Sequence, residues 1–202
     1  LTPLAANALS GMVNLEQLDL SDNPLEHIPD TRRLTRLTRL SLSNTGLTEI
    51  PADLLSLPPR TYLDLSHNAL ENLPDQAFNL PVNVAARVDL SANPLSRPAL
   101  RRIKAYYQAT GEFWLATPPA EDLQRIRALY PAISDTEQAR IYFDLPGDID
   151  GAAHQITRLG QEYEQLRSQL QEWALNVPTR DPLLDTVLDV GARAEEQLRR
   201  MH

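Results

Sequence analysis

The chain has 202 residues, of which 42% are hydrophobic, and carries a formal net charge of −8 at pH 7. That length and apolar content suffice for one or two domains with a sizeable core, while the acidic balance argues against a nucleic-acid surface, which needs clustered basic residues to displace counterions. With no cysteine, disulfides, thiolate zinc sites and a thiol nucleophile are excluded, and the chain is expected inside a cell or in a reducing compartment.

Four segments, Leu15–Leu25, Leu37–Leu47, Arg60–Leu70 and Ala85–Leu95, fit the pattern L-x-x-L-x-L-x-x-N-x-L, beginning 22, 23 and 25 residues apart. The spacing falls inside the window of about 20–29 residues for leucine-rich repeats. The segments between repeat an apolar residue before proline, at Ile28-Pro29, Ile50-Pro51 and Leu73-Pro74. The pattern predicts an α/β solenoid of short parallel strands over residues 1–95. It starts with a partial repeat, because Leu1-Thr2-Pro3-Leu4 lines up with Leu47-Thr48-Glu49-Ile50. Since no cap precedes it, the natural protein is expected to continue upstream.

Each L-x-L pair sends two apolar side chains to one side of its strand and the residue between to the other. Leu18, Leu20, Leu40, Leu42, Leu63, Leu65, Val88 and Leu90 are therefore the predicted inner core. Gln17, Asp19 and Ser21, then Arg39, Ser41 and Ser43, then Tyr62, Asp64 and Ser66, and finally Arg87, Asp89 and Ser91 are the predicted concave face. That face is the candidate partner-binding site. Four strands about 4.8 Å apart span only roughly 15 Å, and the twelve positions fall short of the about 20–30 residues per side of a stable interface. Asn23, Asn68 and Asn93 are read as structural, each bonding to turn backbone after its strand. Thr45 holds that slot in the second repeat, which predicts a weaker contact there.

Ser96-Arg97-Pro98 starts a helix with Leu100, Ile103 and Tyr107 on one face, and Thr110-Gly111 ends it; residues 96–111 are expected to cap the last repeat. Short helices are expected over residues 112–149, one after Thr117-Pro118-Pro119 and one opened by a capping box of Ser134 and Glu137. From residue 150 a long amphipathic helix carries Ile156, Leu159, Tyr163, Leu166, Leu170 and Trp173, and a second seam follows at Leu184, Val187, Gly191, Ala194, Leu198 and Met201. Two heptad seams joined by a short proline-bearing loop predict an antiparallel helical hairpin over 150–202. Its final Arg199-Arg200-Met201-His202 has no terminating signal, so the chain is expected to continue downstream as well.

A constellation for catalysis is missing. His27, His67, His154 and His202 lie outside any metal-binding spacing, and Pro146 sits where a calcium loop containing Asp148 and Asp150 would need an oxygen ligand. With only 7 glycines and no phosphate loop, no cofactor is expected and the chain is read as non-enzymatic. No apolar run approaches the roughly 20 residues of a membrane span, and residues 1–14 lack the basic start of a signal peptide. The expected partner is a protein, either of a host or within the same molecule.

The order of parts resembles the leucine-rich-repeat effectors of Gram-negative bacteria that carry a novel-E3-ligase (NEL) domain. The resemblance lies in the Leu-Asp-Leu-Ser repeats with Leu-Pro spacers, in Asn93–Ser96, in Ile103–Gly111 (IKAYYQATG) and in Leu159–Leu166 (LGQEYEQL) through Trp173. It implies delivery into a host cell by type III secretion, repeats that select a partner or restrain the ligase, and a catalytic cysteine in the NEL domain. No cysteine exists here, so no catalytic residue carries over and ligase chemistry belongs to another part of the parent. The implied role is a recognition segment, or alternatively a structural or autoinhibitory connector whose hairpin docks on the repeats or on a neighbouring domain. Of the 19 basic residues only Lys104 is lysine; a GC-rich genome and avoidance of the ubiquitin acceptor both account for this.

Overall fold

The computed structural model describes residues 9, 11–25, 27–112 and 114–176. The chain divides into two compact units between Pro119 and Ala120. In the first unit, five short strands form one parallel sheet: β1 (Gln17–Asp19), β2 (Arg39–Ser41), β3 (Tyr62–Asp64), β4 (Val88–Leu90) and β5 (Leu115–Ala116). They lie in chain order, in a register that places Leu18, Leu40, Leu63 and Val88 side by side. This is the arrangement expected of a solenoid of such repeats. The inward residues from Leu40 to Leu90 are buried, whereas Leu18 on β1 and Leu20 just after it are half-buried.

The spacers turn back through tight 3-10 segments at Ala52–Ser56 and Asp75–Asn79 and a one-turn helix, α1 (Val82–Ala85). Each is preceded by a proline, Pro51, Pro74 or Pro81, whose ring presets φ (−60°, −66° and −56°) for the bend. Leu54 and Ala77 of these turns close the core opposite the strands.

Asparagine side chains tie the turns together. Asn68 Oδ1 accepts from the backbone N–H groups of Thr45 (3.0 Å) and Leu47 (3.1 Å), and Nδ2 donates to the carbonyls of Leu42 (2.8 Å) and Leu65 (3.0 Å). Asn93 repeats this one turn on, accepting from Leu70 N–H and donating to Leu65 and Leu90. Thr45 breaks the series: its hydroxyl proton is shared between the Leu42 carbonyl of its own repeat (2.8 Å) and Asn68 Oδ1 of the next (3.1 Å). Toward the first repeat, among the described residues, Thr45 uses its backbone carbonyl, which accepts from Leu25 N–H at 3.1 Å. The residue before each of these slots, Asp22, Asn44, His67 or Ala92, is left-handed, with φ between 53° and 60°.

The sheet continues past β4 into residues 112–149, where the sequence predicts only short helices. Helix α2 (Arg97–Thr110) starts at Ser96, whose hydroxyl accepts from Ala99 N–H, and stops at Gly111 with φ 74°. It lies beside the preceding spacer, where Arg102 pairs with Asp75 (2.8 Å) and sits 4.0 Å from the Phe78 ring centroid. It thus takes the place of a spacer between β4 and β5, instead of closing an open end. Trp114, stacked on Phe78 and tilted against Tyr106, is only 2% exposed and leads into β5.

The second unit comprises α3 (Ala120–Leu129), α4 (Asp135–Asp144), a 3-10 turn at Ile149–Gly151 and α5 (Ala152–Asn176). Both bonds of the Ser134–Glu137 capping box are present. Helices α3 and α5 approach so closely that a Cβ on Gly160 would stand 2.9 Å from Leu129 Cδ2. Tyr163 meets Tyr130 edge-on, with centroids 6.3 Å apart. Along the predicted seam Ile156 is buried, but Leu166, Leu170 and Trp173 are 59%, 58% and 59% exposed. The second seam, at residues 184–201, lies outside the described residues.

Candidate protein-binding face

Strand register arranges the twelve candidate positions in three rows. Gln17, Arg39 and Tyr62 are neighbours across β1 to β3, with Arg87 immediately before β4. Asp19, Ser41, Asp64 and Asp89 form the middle row. Ser21, Ser43, Ser66 and Ser91 follow at the strand exits. The added fifth strand extends the middle row with Leu115, paired to Asp89. Thr117 extends the last row, its hydroxyl oxygen accepting from Ala92 N–H at 2.6 Å.

The rows differ in what remains available to a partner. Each middle-row aspartate accepts a hydrogen bond from the backbone N–H two residues on: Asp19 from Ser21 (2.9 Å), Asp64 from Ser66 (3.0 Å) and Asp89 from Ser91 (2.9 Å). These bonds pin the chain as it leaves the strand. At Asp19 the Ser21 bonds hold the carboxyl below its ordinary value. Ser41 and Ser66 are buried; Ser41 bonds to Ser21 (2.6 Å), and Ser66 bonds to Asp64 (2.7 Å) and Ser43 (3.0 Å). The serines therefore form a cross-repeat ladder more than a free surface.

The first row is the open one. Gln17, Arg39 and Arg87 are exposed. Arg39 lies over the Tyr62 ring, 5.1 Å from its centroid. The Tyr62 O–H donates to Asp89 Oδ2 at 3.2 Å. Burial first, then the Asp89 charge, pushes the Tyr62 phenol up to about 12. A cation–aromatic pair beside a row of fixed carboxylates offers a polypeptide side-chain donors and a ring face. Among the described residues no cluster of histidine and carboxylate ligands could hold a metal, and no helix is long and apolar enough to cross a membrane.

Sequence reasoning missed Leu115 and Thr117. A signal existed: Trp114-Leu115-Ala116-Thr117 lies 26 residues after Val88-Asp89-Leu90-Ser91, with Trp114 and Ala116 in the two inward slots. The departure from leucine hid the repeat.

A stack of parallel strands spaced by this motif defines a leucine-rich-repeat chain. Residues 14–32 and 36–57 match the family model described as Leucine Rich Repeat. Among curated relatives, mouse Tsukushi is 31% identical over 152 residues, covering 71% of this chain and 43% of that protein. Rat osteomodulin is 40% identical over 78 residues (38% of this chain, 18% of the relative), and mouse vasorin 43% over 72 residues (34% and 11%). The chain thus spans less than half the length of each. The leucine-rich repeat suggests protein–protein interaction as the class of role.

Proposed function

We propose that the chain is the partner-recognition segment of a type III secreted bacterial effector whose ubiquitin-ligase domain lies elsewhere in the parent protein, and that residues 1–95 bind through the strand face. The observation that carries the binding reading is the open Gln17–Arg39–Tyr62–Arg87 row beside preorganised carboxylates. The effector reading rests on the helical stretches quoted above, and the three relatives named bear neither an effector nor a ligase name. A further observation agrees with it: the chain's one lysine, Lys104, is 3% exposed, so this segment presents no lysine side chain to a ubiquitin-loaded neighbour.

The test is retention of host-cell proteins on the immobilised chain, compared with an Arg39→Glu/Arg87→Glu variant. The carboxylates Asp64 and Asp89 are poor targets, since replacing them also frees the Ser66 and Ser91 backbone. The variant keeps its circular dichroism and loses the partner that the parent chain retains. Equal retention by both proteins places recognition off this face.

A second reading, a structural or autoinhibitory connector, is favoured by the exposed stripe Leu166, Leu170 and Trp173 on α5. In that reading residues 150–202 form the hairpin and dock on a neighbouring domain of the parent. Leu166→Glu/Leu170→Glu then raises the parent's ligase activity, and unchanged activity counts against it.

A further inference from the structure

Away from the strand face, the first two spacers part to leave a groove of about 420 Å³. None of the twelve strand-face residues lines it. The gap opens where the asparagine series is interrupted. Between the second and third repeats Asn68 gathers the N–H groups of Thr45 and Leu47, whereas among the described residues Thr45 offers the first repeat its backbone carbonyl alone. Its volume lies in the range of about 300–1,000 Å³ common for ligand pockets.

The lining has two chemistries. Leu25, Leu47 and Leu54 supply an apolar wall, and Leu25 and Leu47 are only half-buried. Thr31 also lines the groove; it is 3% exposed, and among the described residues its hydroxyl takes no hydrogen-bond partner. Three carboxylates line the rim. Asp30 is engaged by Arg32 through two bonds of 2.9 Å. The same Arg32 makes a longer ion pair with Asp53 at 3.9 Å, and among the described residues the Glu49 side chain makes neither ion pair nor hydrogen bond. No arginine or lysine belongs to the lining.

We propose that this groove docks an extended segment of a partner protein that presents an aliphatic side chain next to an arginine. The aliphatic group covers Leu25 and Leu47, and the guanidinium bridges Glu49 and Asp53, a task its planar fork of donors suits better than a lysine ammonium. A polar atom of the segment meets the Thr31 hydroxyl. This site is independent of the strand face, so either can fail without the other.

The test is fluorescence polarisation with a labelled peptide Gly-Gly-Leu-Arg-Gly-Gly, its Leu-Glu counterpart and its Gly-Arg counterpart, each titrated with the full chain. The Leu-Arg peptide is expected to bind at least about tenfold more tightly than either control, the scale set by one charge-assisted hydrogen bond. Glu49→Gln/Asp53→Asn, both isosteric and on the surface, should weaken it by about tenfold or more. Thr31→Val should weaken it by a smaller factor, and Arg87→Glu on the strand face should leave it unchanged. Equal binding of the Leu-Glu peptide, indifference to Glu49→Gln/Asp53→Asn, or no saturable binding of the Leu-Arg peptide overturns the proposal.

Discussion

Replacing Asn68 by alanine tests what holds consecutive repeats together. Asn68 is 8% exposed and reaches two repeats at once. Its loss does not strand every group it touches: the Leu42 carbonyl keeps the Thr45 hydroxyl, the Leu65 carbonyl keeps Asn93, and the Ser66 carbonyl keeps Asn44 N–H. The N–H groups of Thr45 and Leu47 have no such reserve, since Asn68 Oδ1 is their acceptor. Two buried or half-buried donors left unsatisfied cost about 1–3 kcal/mol each, which gives roughly 2–6 kcal/mol for the variant. A domain's whole stability is about 5–15 kcal/mol, so this is a large fraction of it. The assay is urea unfolding followed by fluorescence and circular dichroism. Trp114 is buried within the repeat unit and Trp173 is exposed, so the fluorescence change reports chiefly on the repeats. Asn23→Ala is the comparison, because among the described residues the Asn23 side chain bonds to Leu20 and Ser21 of its own turn, and losing those bonds should cost below about 1 kcal/mol. If Asn68→Ala costs no more than Asn23→Ala, the cross-repeat ladder is not what holds these turns.

Three further outcomes follow from the same geometry. Ala92 is held at φ 53°, so Ala92→Gly should be neutral or stabilise by about 1 kcal/mol, while Ala92→Val should destabilise by more than that; urea midpoints decide. The Tyr62 phenol, raised from 10.0 to about 12, binds its proton more tightly in the folded state, so its contribution to stability is complete below pH 10.0 and is lost as pH rises through about 12. Tyr62→Phe should flatten that alkaline loss in pH-dependent melts, and an unchanged alkaline limb would contradict the assignment. In a ubiquitin-transfer mixture with an unrelated ligase, the folded chain should accept no ubiquitin on lysine, whereas Arg60→Lys, placed at an exposed position, should become modified. Modification of Lys104 in the native chain, read by mass spectrometry, would show that its burial does not protect it.

The repeats were legible because their core is written in one residue type at fixed intervals, so Leu40, Leu42, Leu63 and Leu65 fall inward without any knowledge of their partners. Strand β5 was not, because Trp114 and Ala116 fill the two inward slots by compensating volumes, one large and one small. Volume compensation preserves packing while erasing the pattern. The Asn68 and Asn93 bonds were anticipated in kind, and no local pattern announces the groove between the first two spacers. On the candidate face, the alternation of side chains told which residues point outward but not which are already engaged. Asp64 and Asp89 read as recognition residues from sequence, yet each holds its own turn. Hydrogen bonds two residues along the chain are invisible to a periodicity argument, as is the stacking of Arg39 on Tyr62 across two repeats.

The central claim, recognition through the first row of the strand face, is tested most directly by placing a photo-crosslinking amino acid at Arg87 and, in a separate protein, at Arg140 of α4, and exposing each to host-cell proteins. Both positions are exposed, so they differ in location and not in access. The account requires one protein to be crosslinked from position 87 and not from position 140, and to be lost on Arg39→Glu. Crosslinking of the same proteins from both positions, or a crosslink at 87 that survives Arg39→Glu, would contradict it.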